Sequence, residues 1–148
     1  MNNTFNSKIL IAEDNEDSCL MLRLFLESLD FHVVEARNGE EAVKLANEEQ
    51  PDLILMDLNM PVIDGITAAL HIRSNPELAD IPILANSADG LRGMDLFSGI
   101  DELGKAYIGY IAKPFSFDEL TEQINAALFQ NQKRRLISPA NCNFPHTF

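Results

Sequence analysis

The sequence predicts an α/β fold, a doubly wound parallel sheet with helices on both faces. Three observations predict it. Short apolar runs alternate five times with stretches of helical periodicity. The runs are almost continuously apolar, as strands buried on both faces are. Reactive side chains stand where several runs end, and in an open α/β sheet the carboxyl ends of the strands share one crevice.

Lys8-Ile9-Leu10-Ile11-Ala12 reads as the first strand. Glu13-Asp14-Asn15-Glu16-Asp17 follows, with four acids in five residues. Such a cluster suits the positive end of a helix dipole, or a bound cation. Cys19, Leu22, Phe25, Leu26 and Leu29 then keep a helical period. Phe31 to Ala36 is the second strand, with His32 at the surface near its start. Asn38 caps a second helix, with Glu41 as the reciprocal acid and Ala42, Val43 and Ala46 as its apolar face. Pro51 and Pro61 bound the central apolar run, and Asp57 stands where that strand ends. A third helix runs from near Gly65, with Ile66, Ala69, Leu70 and Ile72, to Ser74-Asn75-Pro76. Ile81 to Ala85 is a fourth strand, followed by Asn86-Ser87-Ala88. Tyr107 to Ala112 is a fifth, followed by Lys113-Pro114-Phe115. Ser116 and Glu119 form a capping box for a last amphipathic helix through Leu120, Ile124, Ala127 and Leu128. Residues 1–130 read as one domain, and residues 131–148, without periodicity, as a short C-terminal extension open to partial disorder.

Composition narrows the function. With 148 residues, 46% apolar and 23% charged, the chain is large enough for one real core. A net charge of −12 argues against nucleic acid and against an anionic membrane surface. Cys19 and Cys142 make no disulfide framework, so a reducing compartment, the cytoplasm, is expected. Met1 to Lys8 is polar and no leader is visible. The richest apolar stretch, Cys19 to Leu26, contains Arg23, so no membrane insertion is expected.

Superposing the strand ends gives the chemistry. Glu13 and Asp14, Asp57, Ser87 and Lys113 collect at one edge of a parallel sheet. Singly, Lys113 reads equally as a surface lysine before a proline, and Ser87 as a helix cap. Together the three carboxylates call for a cation, and hard oxygen donors suit Mg²⁺. A cation, a lysine and a hydroxyl can hold a phosphoryl group while a carboxylate attacks phosphorus.

On Glu13-Asp14, Asp57, the run Met60-Pro61-Val62-Ile63-Asp64-Gly65, Ser87 and Lys113-Pro114-Phe115, the chain resembles the receiver domains of bacterial two-component response regulators. The resemblance spans about Lys8 to Gln130. It implies a flavodoxin-like (βα)5 sheet of order 2-1-3-4-5. It implies Asp57 as phosphoacceptor, with Asp14 and Asp57 as carboxylate ligands of Mg²⁺. Glu13 would act through a bound water and Asn59 through its main-chain carbonyl. Lys113 would pair with the phosphoryl oxygens, Ser87 and Tyr110 would be the switch residues, and the Lys113-Pro114 bond would be cis. The implied partners are a histidine kinase or histidine phosphotransfer protein and a downstream protein target. The domain would be no enzyme beyond its own phosphoryl transfer and slow self-dephosphorylation.

The chain departs from the family pattern in two places. Asn86 stands where an apolar residue is usual. The stretch from Ser87 to Lys113 is longer than usual and carries Gly90, Gly93, Gly99 and Gly104, each costing a helix about 1 kcal/mol. In the family that stretch, with the fifth strand and last helix, forms the signalling face. Two other chemistries on related folds fit less well. An FMN binder needs a phosphate loop where Glu13 to Asp17 would repel one. A phosphohydrolase of the haloacid-dehalogenase type needs an acid where Asn59 stands. The remaining alternatives are a receiver fold that binds partners without phosphorylation, and a phosphorelay shuttle without a conformational switch. The residues after Gln130 are too few to fold as an effector domain, so output is expected through another protein, unless the chain is a piece of a longer one.

Overall fold

The structure, a computed structural model, describes residues 7–58, 60, 62–87 and 109–137. The strands are β1 (Lys8–Ala12), β2 (His32–Ala36), β3 (Leu53–Asp57), β4 (Ile83–Ser87) and β5 (Gly109–Ala112). They form one sheet in the expected order, β2-β1-β3-β4-β5, and every pair is parallel. The helices are α1 (Glu16–Ser28), α2 (Gly39–Glu49), α3 (Gly65–Arg73) and α4 (Phe117–Ile137), with a 3₁₀ turn at Pro76–Leu78. No described helix is long and apolar enough to cross a membrane.

The pleat divides the core. Leu10, Ile54, Met56, Ile83 and Ala85 pack with Ala42 and Ala46 of α2 and Ala68 and Ile72 of α3. Ile9, Ile11, Leu55, Leu84 and Ile111 pack on the other face with Cys19, Leu22 and Leu26 of α1 and Leu120 and Ile124 of α4. Strand residues alternate between the two layers because successive side chains leave opposite faces. Each large aliphatic side chain so buried contributes about 1.5–3 kcal/mol.

The helix starts follow local chemistry. Asn38 Oδ1 accepts from the Glu41 N–H at 2.7 Å, and the Glu41 carboxylate reaches back to the Arg37 N–H at 2.8 Å. Ser116 and Glu119 form the expected reciprocal pair, at 3.0 and 3.4 Å. Asp64 caps α3 through the Thr67 N–H at 2.8 Å. In α1, Leu29 lies past the helix end and is exposed, because the chain turns there into Asp30 at φ 70.

Three elements have bounds that differ from expectation by two residues or more. β4 begins and ends two residues later than its apolar run suggests, so Asn86 and Ser87 belong to the sheet. β5 begins at Gly109 rather than Tyr107. α4 continues to Ile137, into the segment read as an extension. Lys133, Arg134 and Arg135 explain the last, being good helix formers whose charge suits a helix C-terminus. The glycine-bearing stretch 88–108 and residues 138–148 lie outside the described residues.

Candidate functional site

The site is built from three strand ends. Glu13 follows β1 directly, and its N–H continues the ladder to Ala36 of β2 at 3.0 Å. This pairing turns the Glu13 side chain onto the face of Ile9 and Ile11, where it is buried. Its Oε2 accepts from the Asn15 N–H at 3.2 Å, and Asn15 caps α1 through the Ser18 N–H at 2.9 Å. Asp14, the next residue, faces solvent. Asp57 is the last residue of β3 and is buried. Lys113 follows β5 and precedes a cis peptide bond to Pro114, as expected.

These residues meet. Lys113 Nζ lies 2.8 Å from Glu13 Oε1 and 3.5 Å from Asp57 Oδ2. One oxygen each from Glu13, Asp14 and Asp57 falls within 4.8 Å of the others. Burial pulls the Lys113 pKa down, but the hydrogen bond to Glu13 and the charges of Asp57 and Glu13 outweigh it, and the net direction is up. The ammonium therefore stays charged at neutral pH.

With the three carboxylates ionised, the single ammonium leaves the cluster two negative charges in excess. A divalent cation removes that excess, and an all-oxygen donor set with an open, solvent-facing side suits Mg²⁺ over a softer metal. The residues present fit that ion. Beside them a groove of about 670 Å³ opens between α1 and the start of α4, lined by Ser18, Met21, Lys113, Phe115 and Phe117. Phe117 stacks on Phe25 of α1 with centroids 4.2 Å apart, which fixes one wall.

The remaining expected site residues are placed only in part. Ser87 ends β4 and Tyr110 lies in β5, but their side chains lie outside the described residues, as does Asn59. Sequence reasoning did not find the roles of Asn15, which holds Glu13, or of Gly65. A Cβ on Gly65 would meet the Asp57 carbonyl oxygen at 2.2 Å, so α3 is seated directly against the strand end that carries Asp57. The one available signal was the glycine itself, at a helix start.

Val62, in the loop between Asp57 and α3, has φ 69, a left-handed conformation that a β-branched residue rarely adopts. Its side chain is 73% exposed, so little burial offsets the strain. Val62→Asn is expected to stabilise the protein by about 1 kcal/mol, because asparagine tolerates this region far better. Urea titration checks it; a midpoint at or below that of wild type would show that no strain is stored there.

The sequence matches the family described as response regulator receiver domain over residues 9–125. The polar-differentiation response regulator DivK of Brucella anthropi is 34% identical over 120 residues, covering 81% of this chain and 94% of that protein. Among solved structures, the receiver domain of a Pseudomonas aeruginosa sensor histidine kinase superposes with a TM-score of 0.75 at 32% identity. It covers 83% of this chain and 98% of that one, and it holds a magnesium ion coordinated in its active site cleft. The receiver domain of a Francisella response regulator gives a TM-score of 0.73 at 27% identity, covering 84% of this chain and 98% of that one.

Proposed function

This chain belongs to the response regulator receiver domain family, a family of phosphoacceptors in two-component signalling, and from that premise we propose that Asp57 is its phosphoacceptor. The observation carrying the assignment is the ion-pair cluster at the strand ends: a buried Asp57, Lys113 bridging it to Glu13, and Asp14 within ligand distance.

A carboxylate oxygen of Asp57 attacks the phosphorus of a phosphohistidine on a histidine kinase or histidine phosphotransfer protein. The P–N bond breaks as the P–O bond forms, and its electron pair leaves with the imidazole. A carboxylate attacks in its ionised form and so needs no base, and the Lys113 ammonium lies 3.5 Å from Asp57 Oδ2. β3 holds it rigidly: its neighbours Met56 and Leu58 are buried, and the Leu58 N–H donates to the Asn86 carbonyl at 2.9 Å. Lys113 then exchanges carboxylate oxygens for phosphoryl oxygens, which carry more charge. Asp14, Asp57 and the Asn59 carbonyl would hold Mg²⁺, with Glu13 acting through water; when bound, the ion neutralises charge on the transferring group. Ser87 and Tyr110 are assigned to the switch that passes the phosphorylation state to a downstream protein. The domain signals, and it acts on no substrate besides itself.

The metal assignment is separable from the acceptor assignment. Both Glu13 oxygens already have partners, Lys113 and the Asn15 N–H, whereas Asp14 faces solvent with its carboxylate available. Asp14→Ala is therefore expected to weaken Mg²⁺ binding more than Glu13→Ala, whose loss should stay within the ~10–100-fold typical of an outer-shell partner. Mg²⁺ titration of both variants decides it. Equal losses, or a larger one at Glu13, would exchange the two roles. For the acceptor, intact mass after incubation with phosphoramidate and Mg²⁺ is the direct test.

A further inference from the structure

One polar side chain at this edge has no place in the mechanism so far. Asn86 is 2% exposed, and its Oδ1 has no hydrogen-bond partner among the described residues. A buried acceptor left unmade is costly, and natural cores hold few of them. Asn86 pairs in register with Asp57 on one side and Ile111 on the other. The pleat carries it to the face of Leu84, the same layer as Leu55 and Ile111. Asp57, two residues after Leu55, and Lys113, two after Ile111, belong to that face as well.

Lys113 starts from the end of β5 yet reaches Asp57 on β3 and Glu13 after β1. β4 lies between β5 and β3, so the lysine side chain crosses the end of β4. Of the β4 residues on that face, Leu84 is apolar and Asn86, nearer the strand end, is polar. An ammonium has three N–H donors. Of its two carboxylate partners, Asp57 is distant at 3.5 Å.

We propose that Asn86 is a positioning residue for Lys113, its side-chain carbonyl accepting an N–H of the ammonium as Lys113 exchanges the carboxylates for phosphoryl oxygens. This rests on the reading of Asp57 as phosphoacceptor. A neutral acceptor suits the task, since a further carboxylate would add charge to a cluster already in excess. The unmade bond of the resting state is thereby completed in the reacting one.

Asn86→Val and Asn86→Thr test it, two variants of one shape of which only Thr keeps an oxygen acceptor. With phosphoramidate as donor and saturating Mg²⁺, Asn86→Val should lower the maximal rate of phosphoryl uptake about tenfold, the scale of one hydrogen bond to a charged group, with little change in donor KM. Asn86→Thr should keep most of the rate. In a Lys113→Met background Asn86→Val should cost nothing more, because residues acting through one group are not additive. Without Mg²⁺ or donor, Asn86→Val should melt above wild type, because the unmade acceptor is gone. Wild-type uptake in Asn86→Val, equal slowing of both variants, a full additional loss in Lys113→Met, or a lower melting temperature would each overturn the proposal while leaving Asp57 in place. A wild-type chain that gains no phosphoryl group would end both readings. Should Asn86→Val yield no folded protein, Asn86→Ala replaces it in the uptake arms, and the melting arm is read on Asn86→Thr against wild type alone.

Discussion

Asp57→Asn is expected to leave the chain without a phosphoryl group under conditions that load the wild type fully. The substitution keeps the shape of the side chain and removes only its charge and nucleophilicity. A neutral amide oxygen does not displace imidazole from phosphorus, and the nearby acids cannot take over. Glu13 is buried with both oxygens bonded, one to Lys113 at 2.8 Å and one to the Asn15 N–H at 3.2 Å. Asp14 is exposed and lies after the strand rather than at its end. The loss should not come from misfolding. Lys113 retains Glu13, and one charge fewer among three crowded carboxylates relieves repulsion when no metal is present. The melting temperature without Mg²⁺ should therefore equal or exceed that of wild type, a trade of stability against function common at reactive sites. Intact mass with phosphoramidate and Mg²⁺, and a thermal melt without them, read the two effects separately. If the variant gains a phosphoryl group with wild-type stoichiometry, the acceptor lies elsewhere.

The sheet order and the gathering of Glu13, Asp14, Asp57 and Lys113 were legible for one physical reason. Strands buried on both faces must be apolar throughout, and the chain can return to parallel register only through a helix, so the ends of such strands collect at one edge. What was not legible depends on partners rather than on local composition. The apolar run of β4 stops at Ala85, yet pairing continues because the Leu58 N–H beyond β3 needs the Asn86 carbonyl. That pairing carries a polar side chain into a buried register position, where composition would have placed a loop. Glu13 likewise owes its place to pairing beyond its apolar run, its N–H donating to the Ala36 carbonyl of β2, and it lies nearer to Lys113 than Asp57 does. The length of α4 escaped for another reason: after Leu128 its apolar period fades, and only helix propensity and the charges near its end extend it.

Gly65→Ala is expected to destabilise the protein and to slow phosphoryl uptake together. In an exposed helix the same change would stabilise by about 1 kcal/mol. Here the sign reverses, because the added methyl would lie 2.2 Å from the Asp57 carbonyl oxygen and 2.9 Å from the Leu58 Cα. Both obstacles are backbone, so no side chain can swing aside. Nor can the strand end yield freely. Asp57 is in register with Asn86, the Leu58 N–H donates to the Asn86 carbonyl at 2.9 Å, and the Gly65 N–H donates to the Leu58 carbonyl at 3.2 Å. Relief requires α3 to lift from β3, which opens the packing of Ala68, Ala69 and Ile72 against Ile54 and Met56. Overpacking of this kind costs about 1–3 kcal/mol. It also displaces the one residue whose carboxylate must meet Lys113 and a phosphorus atom together, and a shift of about 1 Å at a reacting centre can cost a hundredfold in rate. Urea unfolding and phosphoramidate uptake should both worsen in Gly65→Ala. Thr67→Ala, two residues on and on the exposed side of the helix, should change neither by much. A Gly65→Ala variant as stable as wild type and phosphorylated at the same rate would mean that α3 does not press on the Asp57 strand end.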